Sequence, residues 1–89
     1  MGMRKTVHSK AHAAFCRVIT AARQNAKMTQ TELAAALRKP QSFVAKIETG
    51  ERRVDVIEFL TIAAAIGQDA VKLLSQLKRE LRDQALRSK

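Results

Sequence analysis

Eighty-nine residues allow one small domain with one core and leave no room for a second. Apolar residues make up 46% of the chain and aromatics only 3%, which suits a helical core of Ala, Leu, Ile and Val; one proline and three glycines speak against an all-β or disordered chain. A formal charge of +9 favours an anionic partner, of which nucleic acid is the commonest.

Charge is unevenly placed. The stretch from Met1 to Met28 carries six Lys/Arg and no acid, whereas Glu51 to Asp69 is net acidic. A basic front and an acidic back would orient the domain toward phosphate. Cys16 is the single cysteine, which excludes an internal disulfide framework and suits a reducing cytoplasm. No apolar run approaches the ~18 residues of a membrane span, so no membrane partner is expected. The charged N-terminus is followed by no apolar block of the kind a signal peptide has.

Residues 1–8 are basic and without periodicity, and read as a flexible arm whose Arg4 and Lys5 could touch phosphate. A first helix is expected from Ser9, its cap, to about Ala26, because Ala11, Ala14, Phe15, Val18, Ile19 and Ala22 recur at helical spacing on one face. Cys16 beside that face reads as a small packed residue. His8 and His12, four apart, are too few ligands for a metal site, and neither metal nor cofactor is expected.

Two short helices joined by a tight turn follow, between Thr29 and Gly50. Thr29 with Glu32 three residues on has the form of a capping box. Leu33, Ala34 and Leu37 make a narrow apolar stripe; Pro40 ends that helix and starts the next, whose buried residues are Val44 and Ile47 and whose stop is Gly50. Gln41, Ser42, Ala45, Lys46 and Thr49 are left facing outward, a small, polar, cationic surface suited to the major groove of DNA. Beyond the polar connection from Glu51 to Val54, Asp55 and Glu58 form a second capping pair. The inner face of the fourth helix is expected to be Val56, Phe59, Leu60, Ala63 and Ile66, with Gly67 closing it. Asp69 caps a last helix with Val71, Leu74, Leu77 and Leu81 recurring and Leu73 alongside. Its charges thicken after Leu77, and from Leu81 to Leu86 little domain is left for it to cover. Leu74, Leu77 and Leu81 are therefore candidates for a dimer interface, against the alternative of a solvated, fraying helix end. The domains so defined are the arm 1–8, a DNA-binding domain 9–77 and a basic helical extension 78–89.

The opening Thr29-Gln30-x-Glu32-Leu33-Ala34, the run Gln41-Ser42-x-Val44-x-Lys46-Ile47-Glu48-x-Gly50 and the later Leu60-x-Ile62-Ala63-x-Ala65-Ile66-Gly67 together resemble the helix-turn-helix of the phage lambda repressor/Cro (XRE-like) family, over roughly residues 15–70. The resemblance implies an all-α fold: a compact five-helix, lambda-repressor-like DNA-binding domain with the helix-turn-helix at helices 2 and 3. It departs from the family at Arg38, where Gly is usual, and at Pro40, often a Ser or Thr cap. A left-handed residue other than glycine costs about 1–2 kcal/mol, so a slightly altered turn is expected.

By motif alignment the resemblance implies base reading by Gln41, Ser42 and Lys46. Gln41 is suited to a bidentate bond with adenine, and Lys46 to donating to guanine. It gives Gln30 a phosphate contact at a helix N-terminus, where it could also brace Gln41. It pairs Arg23 with Glu48, an Arg able to bond Glu48 and still reach phosphate. Arg23, Arg38, Lys39, Arg52 and Arg53 complete the phosphate candidates, contacts that position without reading sequence. Phe43 would touch a thymine methyl or shield the neighbouring helix. The expected function is a sequence-specific regulator of double-stranded DNA, a repressor binding a palindrome as a homodimer, without enzymatic activity: the chain has no Gly-rich phosphate loop and no nucleophile–base pair at meaningful spacing. A protein-interaction module, such as an antitoxin whose last helix meets a toxin, and charge-driven non-specific binding of nucleic acid or an anionic membrane surface stand as alternatives.

Overall fold

The computed structural model describes residues 9–87, which form five helices: α1 (Lys10–Asn25), α2 (Gln30–Leu37), α3 (Gln41–Thr49), α4 (Val56–Ile66) and α5 (Ala70–Arg87). No strand occurs among the described residues, and no helix is long and apolar enough to cross a membrane. The expected arm lies outside the described residues. α2 packs on α3 and α4, α1 on α3 and α5, and α4 on α5, so α1 and α4 stand between the helix-turn-helix and α5. Ile19, Leu33, Val44, Ile47, Ile62 and Leu73, at least one from each helix, are the largest fully buried side chains at the centre.

Local chemistry sets the helix starts. The Ser9 hydroxyl accepts from the His12 amide at 2.9 Å. Both capping boxes form: Thr29 with Glu32 and Asp55 with Glu58 exchange side-chain and backbone hydrogen bonds of 2.7–3.0 Å. Asp69 Oδ1 accepts from the Val71 amide at the head of α5. Pro40 is the residue before α3 rather than its first, and its carbonyl accepts from the Phe43 amide at 2.9 Å.

The turn between α2 and α3 is not altered by Arg38. Arg38 itself takes the left-handed conformation (φ 59°, ψ 44°), and the Lys39 amide reaches back to the Ala34 carbonyl at 2.9 Å. Lys27 does the same after α1, at φ 61°. Two hydrogen-bonded turns thus hold a cation in a conformation that favours glycine.

Three faces differ from the sequence expectation. On α1 Ala11 is exposed and His12 is buried in its place, its ring stacked 6.0 Å from that of Phe15. On α4 Val56 and Leu60 are 71% and 48% exposed, and Ile62 joins Phe59, Ala63 and Ile66 inside. α2 and α5 cover the arc centred on those four residues, and the Val56–Leu60 row lies beyond it. On α5 Leu73 is the buried residue and Val71 faces solvent. Nor does α5 run off the domain. It continues without a break through Lys78; Arg17 pairs with Glu80 at 3.1 Å, and Gln84 Nε2 donates to the Lys10 carbonyl at 3.3 Å.

Candidate nucleic-acid interface

α3 is held from behind by Val44 and Ile47, and its front leaves Gln41, Ser42, Lys46 and Thr49 exposed with Ala45 half-buried. Four of the five residues expected to face outward are thus exposed, and Ala45 shares its half-buried state with Phe43 and Glu48.

On the flank of α3 that meets α1 and α2, one hydrogen-bonded line runs from the interior to the surface. Arg23 Nε and Nη2 donate to Glu48 Oε2 and Oε1 at 2.6 and 3.0 Å, and Arg23 Nη1 donates to the Met28 carbonyl at 2.7 Å. Glu48 Oε1 also accepts from Gln30 Nε2 at 2.9 Å, and Gln30 Oε1 accepts from Gln41 Nε2 at 2.7 Å. Arg23 and Glu48 thus form an ion pair, and Gln30 braces Gln41. The bond from Gln30 to Glu48 was not foreseen; nothing in an 18-residue separation signals it. Hydrogen bonding to Glu48 raises the Arg23 pKa above its ordinary value, outweighing the opposing effect of burial. Arg23 is itself buried, and three of its five N–H donors are taken by these partners, so the two left on Nη1 and Nη2 are what it can offer to phosphate.

A second arrangement occupies the other flank. Arg52 donates from Nη1 and Nη2 to the two Glu58 oxygens at 3.0 and 2.8 Å and from Nη1 to the Arg53 carbonyl at 2.7 Å. Its guanidinium carbon lies 4.6 Å from the centre of the Phe43 ring, and Lys39 Nζ lies 5.2 Å from it. Phe43 packs against the core with these cations on it, which favours shielding over methyl contact. The Arg52 hydrogen bonds, then the Asp55 amide, hold the Glu58 carboxyl down at about 2. Arg52 is therefore tied to α4 rather than free for phosphate. Arg53 lies with Val54 beside Leu77 and Leu81, toward α5 and away from the α3 front.

Of the remaining phosphate candidates, Arg38 and Lys39 are exposed at the turn leading into α3, and Gln30 is at the first position of α2. The candidate dimer residues divide. Leu77 packs against the core and Leu81 is half-buried beside Ser9, Ala11 and Phe15, while Leu74 stays exposed.

A helix-turn-helix family model matches residues 19–73, which takes in all of α2, α3 and α4. The chain belongs to the XRE-type helix-turn-helix family. Among solved structures it is similar to an XRE-family like protein from Pseudomonas syringae pv. tomato str. DC3000, at 45% identity and a TM-score of 0.76 over 90% of this chain and 98% of that one. It shares the fold of the clp gene regulator ClgR from C. glutamicum, at 20% identity and a TM-score of 0.72 over 79% of this chain and 91% of that one. It also shares the fold of a T36A mutant of the restriction-modification controller protein C.Esp1396I, at 22% identity and a TM-score of 0.77 over 82% and 97%. No curated protein matches it. At the level of the family, this XRE-type chain is a DNA-binding transcriptional regulator.

Proposed function

We propose that this XRE-type protein is a sequence-specific repressor that binds a palindromic operator as a homodimer in the cytoplasm. α3 enters the major groove; Gln41, Ser42 and Lys46 read base edges, and Gln30, Arg38 and Lys39 hold phosphates. The observation that carries this reading is Gln41, held at the exposed front of α3 by Gln30 with its amide still able to bond a base. Selection from a random duplex pool, followed by competition between selected and random duplex, tests it. A consensus should emerge, and Gln41→Ala should lose about 1–3 kcal/mol of discrimination at one base pair per half-site. Equal affinity for both duplexes at moderate salt would leave only charge-driven binding.

Pairing through α4 and α5 is supported by Val56, Leu60 and Leu74, apolar side chains exposed on two helices that pack on one another. A two-fold pair would set its half-sites about 34 Å apart. Sedimentation at the concentrations that saturate DNA should show a dimer. A chain monomeric there would make a different protein, as for an antitoxin, the better occupant of this face. Repression would act by occupancy, so a reporter transcribed from a promoter overlapping the selected site should fall as the protein is supplied.

A further inference from the structure

We propose that the seam between α1 and α5 is a second DNA-binding surface, which grips the phosphates of a duplex other than the one α3 reads and so lets one molecule hold two stretches of DNA together. This surface lies outside the proposed reading of α3 and uses none of its residues.

Among the described residues, α1 and α5 carry seven exposed Lys/Arg against two carboxylates, Glu80 and Asp83, whereas α3 carries one cation, Lys46. Five of the seven follow one groove. Its outer half is lined by Lys10, Arg17, Glu80, Gln84 and Arg87. Its inner half shares Arg17 and Glu80 and adds Gln76, Arg79 and Asp83 over Val18 and Ala21. Lys72 stands four residues before Gln76 and seven before Arg79, so it continues the same row of α5. Arg17 spends one Nη2 bond, at 3.1 Å, on Glu80, which neutralises that carboxylate and leaves its other N–H donors for a ligand. An acidic protein would need an apolar centre to its interface; here Val18 is buried and Ala21 is small. A single strand would need rings to stack on, and no aromatic side chain lines the groove among the described residues. Cations and amides without rings or apolar bulk suit the backbone of a duplex. That duplex is a second one because α1 stands between α3 and α5, and Lys10 lies thirteen residues from Arg23, about 20 Å along α1 from the glutamine line. Leu74, nine residues before Asp83, is half a turn round α5 from the groove, so pairing through Leu74 leaves the groove of each protomer open.

The test saturates the full-length protein with the operator duplex it selects, so that α3 is occupied, and passes it over an immobilised duplex of unrelated sequence. The wild type should be retained, with an affinity that falls as salt rises. Arg79→Gln combined with Arg87→Gln, both exposed positions, should weaken retention by about tenfold at low salt and flatten its dependence on log salt by about 0.9 per cation removed. The same double variant should bind a short operator duplex within about twofold of the wild type, and circular dichroism with the thermal midpoint confirms that it is folded. Asp83→Asn, which removes a negative charge from the groove without touching the Arg17 pair, should strengthen retention. No retention of the saturated wild type, retention unchanged in the double variant, or retention displaced as readily by polyglutamate as by soluble duplex of equal charge overturns the proposal. Failure to select any consensus overturns the reading of α3 instead. The groove is then tested by titrating the unrelated duplex with wild type and double variant, where equal affinities overturn it.

Discussion

Two arginine–glutamate pairs flank the reading helix, and they are the same chemistry in different surroundings. Arg23–Glu48 joins α1 to α3 across 25 residues of chain, with side chains 10% and 6% exposed. Arg52–Glu58 spans six residues, from the connection after α3 into the first turn of α4, with side chains 38% and 29% exposed. Water and salt screen the second pair and hardly reach the first. The contrast teaches that the shielded pair anchors the helix and its glutamine line to the core, whereas the wet one trims the path of a connection. It also assigns them different losses on mutation: removing one partner of a shielded pair strands a buried charge, and removing one partner of a wet pair leaves a solvated one.

The largest effect should come from Glu48→Ala. Stranding Arg23 should cost about 3–5 kcal/mol, a large share of what a small domain has. The thermal midpoint should then fall by more than about 12 °C, followed by circular dichroism. A loss near 1 kcal/mol would erase the distinction between the two pairs. Glu58→Ala should cost about 1–2 kcal/mol, mostly the reciprocal cap with Asp55, read from the midpoint of urea unfolding. Because that cap is not an ion pair, raising the salt should leave most of the loss in place.

Acid sharpens the comparison on the same side. The Glu58 carboxyl titrates at about 2 in the folded protein against an ordinary value of 4.5. Its contribution is complete above about 4.5 and is lost as pH falls through that window toward 2. Wild-type stability should therefore drop more steeply across this interval than that of Glu58→Gln, measured by urea unfolding at each pH. Parallel curves would show that Arg52 and the Asp55 amide do not hold the carboxylate. The smallest effect should be a gain: Arg38→Gly relieves a left-handed side chain and should stabilise by about 0.5–1 kcal/mol. If Arg38 also grips a phosphate, the same variant should flatten the dependence of log affinity on log salt by about 0.9 per protomer.

What could be read in advance was chemistry confined to a few consecutive residues. Thr29 with Glu32, Asp55 with Glu58, and Gly67 after Ile66 announce helix ends because caps are satisfied within one turn. The outward face of α3 was legible from the spacing of Val44 and Ile47, whereas the pairing of Arg23 with Glu48 and the base-reading roles of Gln41, Ser42 and Lys46 came from family resemblance. The rotation of α4 was not legible, since Val56, Ile57, Phe59, Leu60 and Ile62 put apolar groups nearly all round its first half, and only the neighbouring helices choose among them. The embrace of α5 by α1 was missed for a similar reason: charged residues after Leu77 look solvated until Arg17 and the Lys10 carbonyl are known to lie beside them. Arg52 reaches Glu58 only because of the course the backbone takes between α3 and α4, which no periodicity encodes.

Cys16 sits in the seam between α1 and the reading helix, its thiol donating to the Ile47 carbonyl at 3.2 Å, and burial raises its pKa. The sulfur is nearly buried on the wall of an open surface pocket beside Glu48 and Thr49, so a reagent that alkylates thiols should label it faster when the two helices part. The rate of labelling thus serves as an internal clock that opening of the seam quickens. An operator that grips α3 should slow that clock, so occupancy of the DNA becomes measurable from a single sulfur on the far side of the helix.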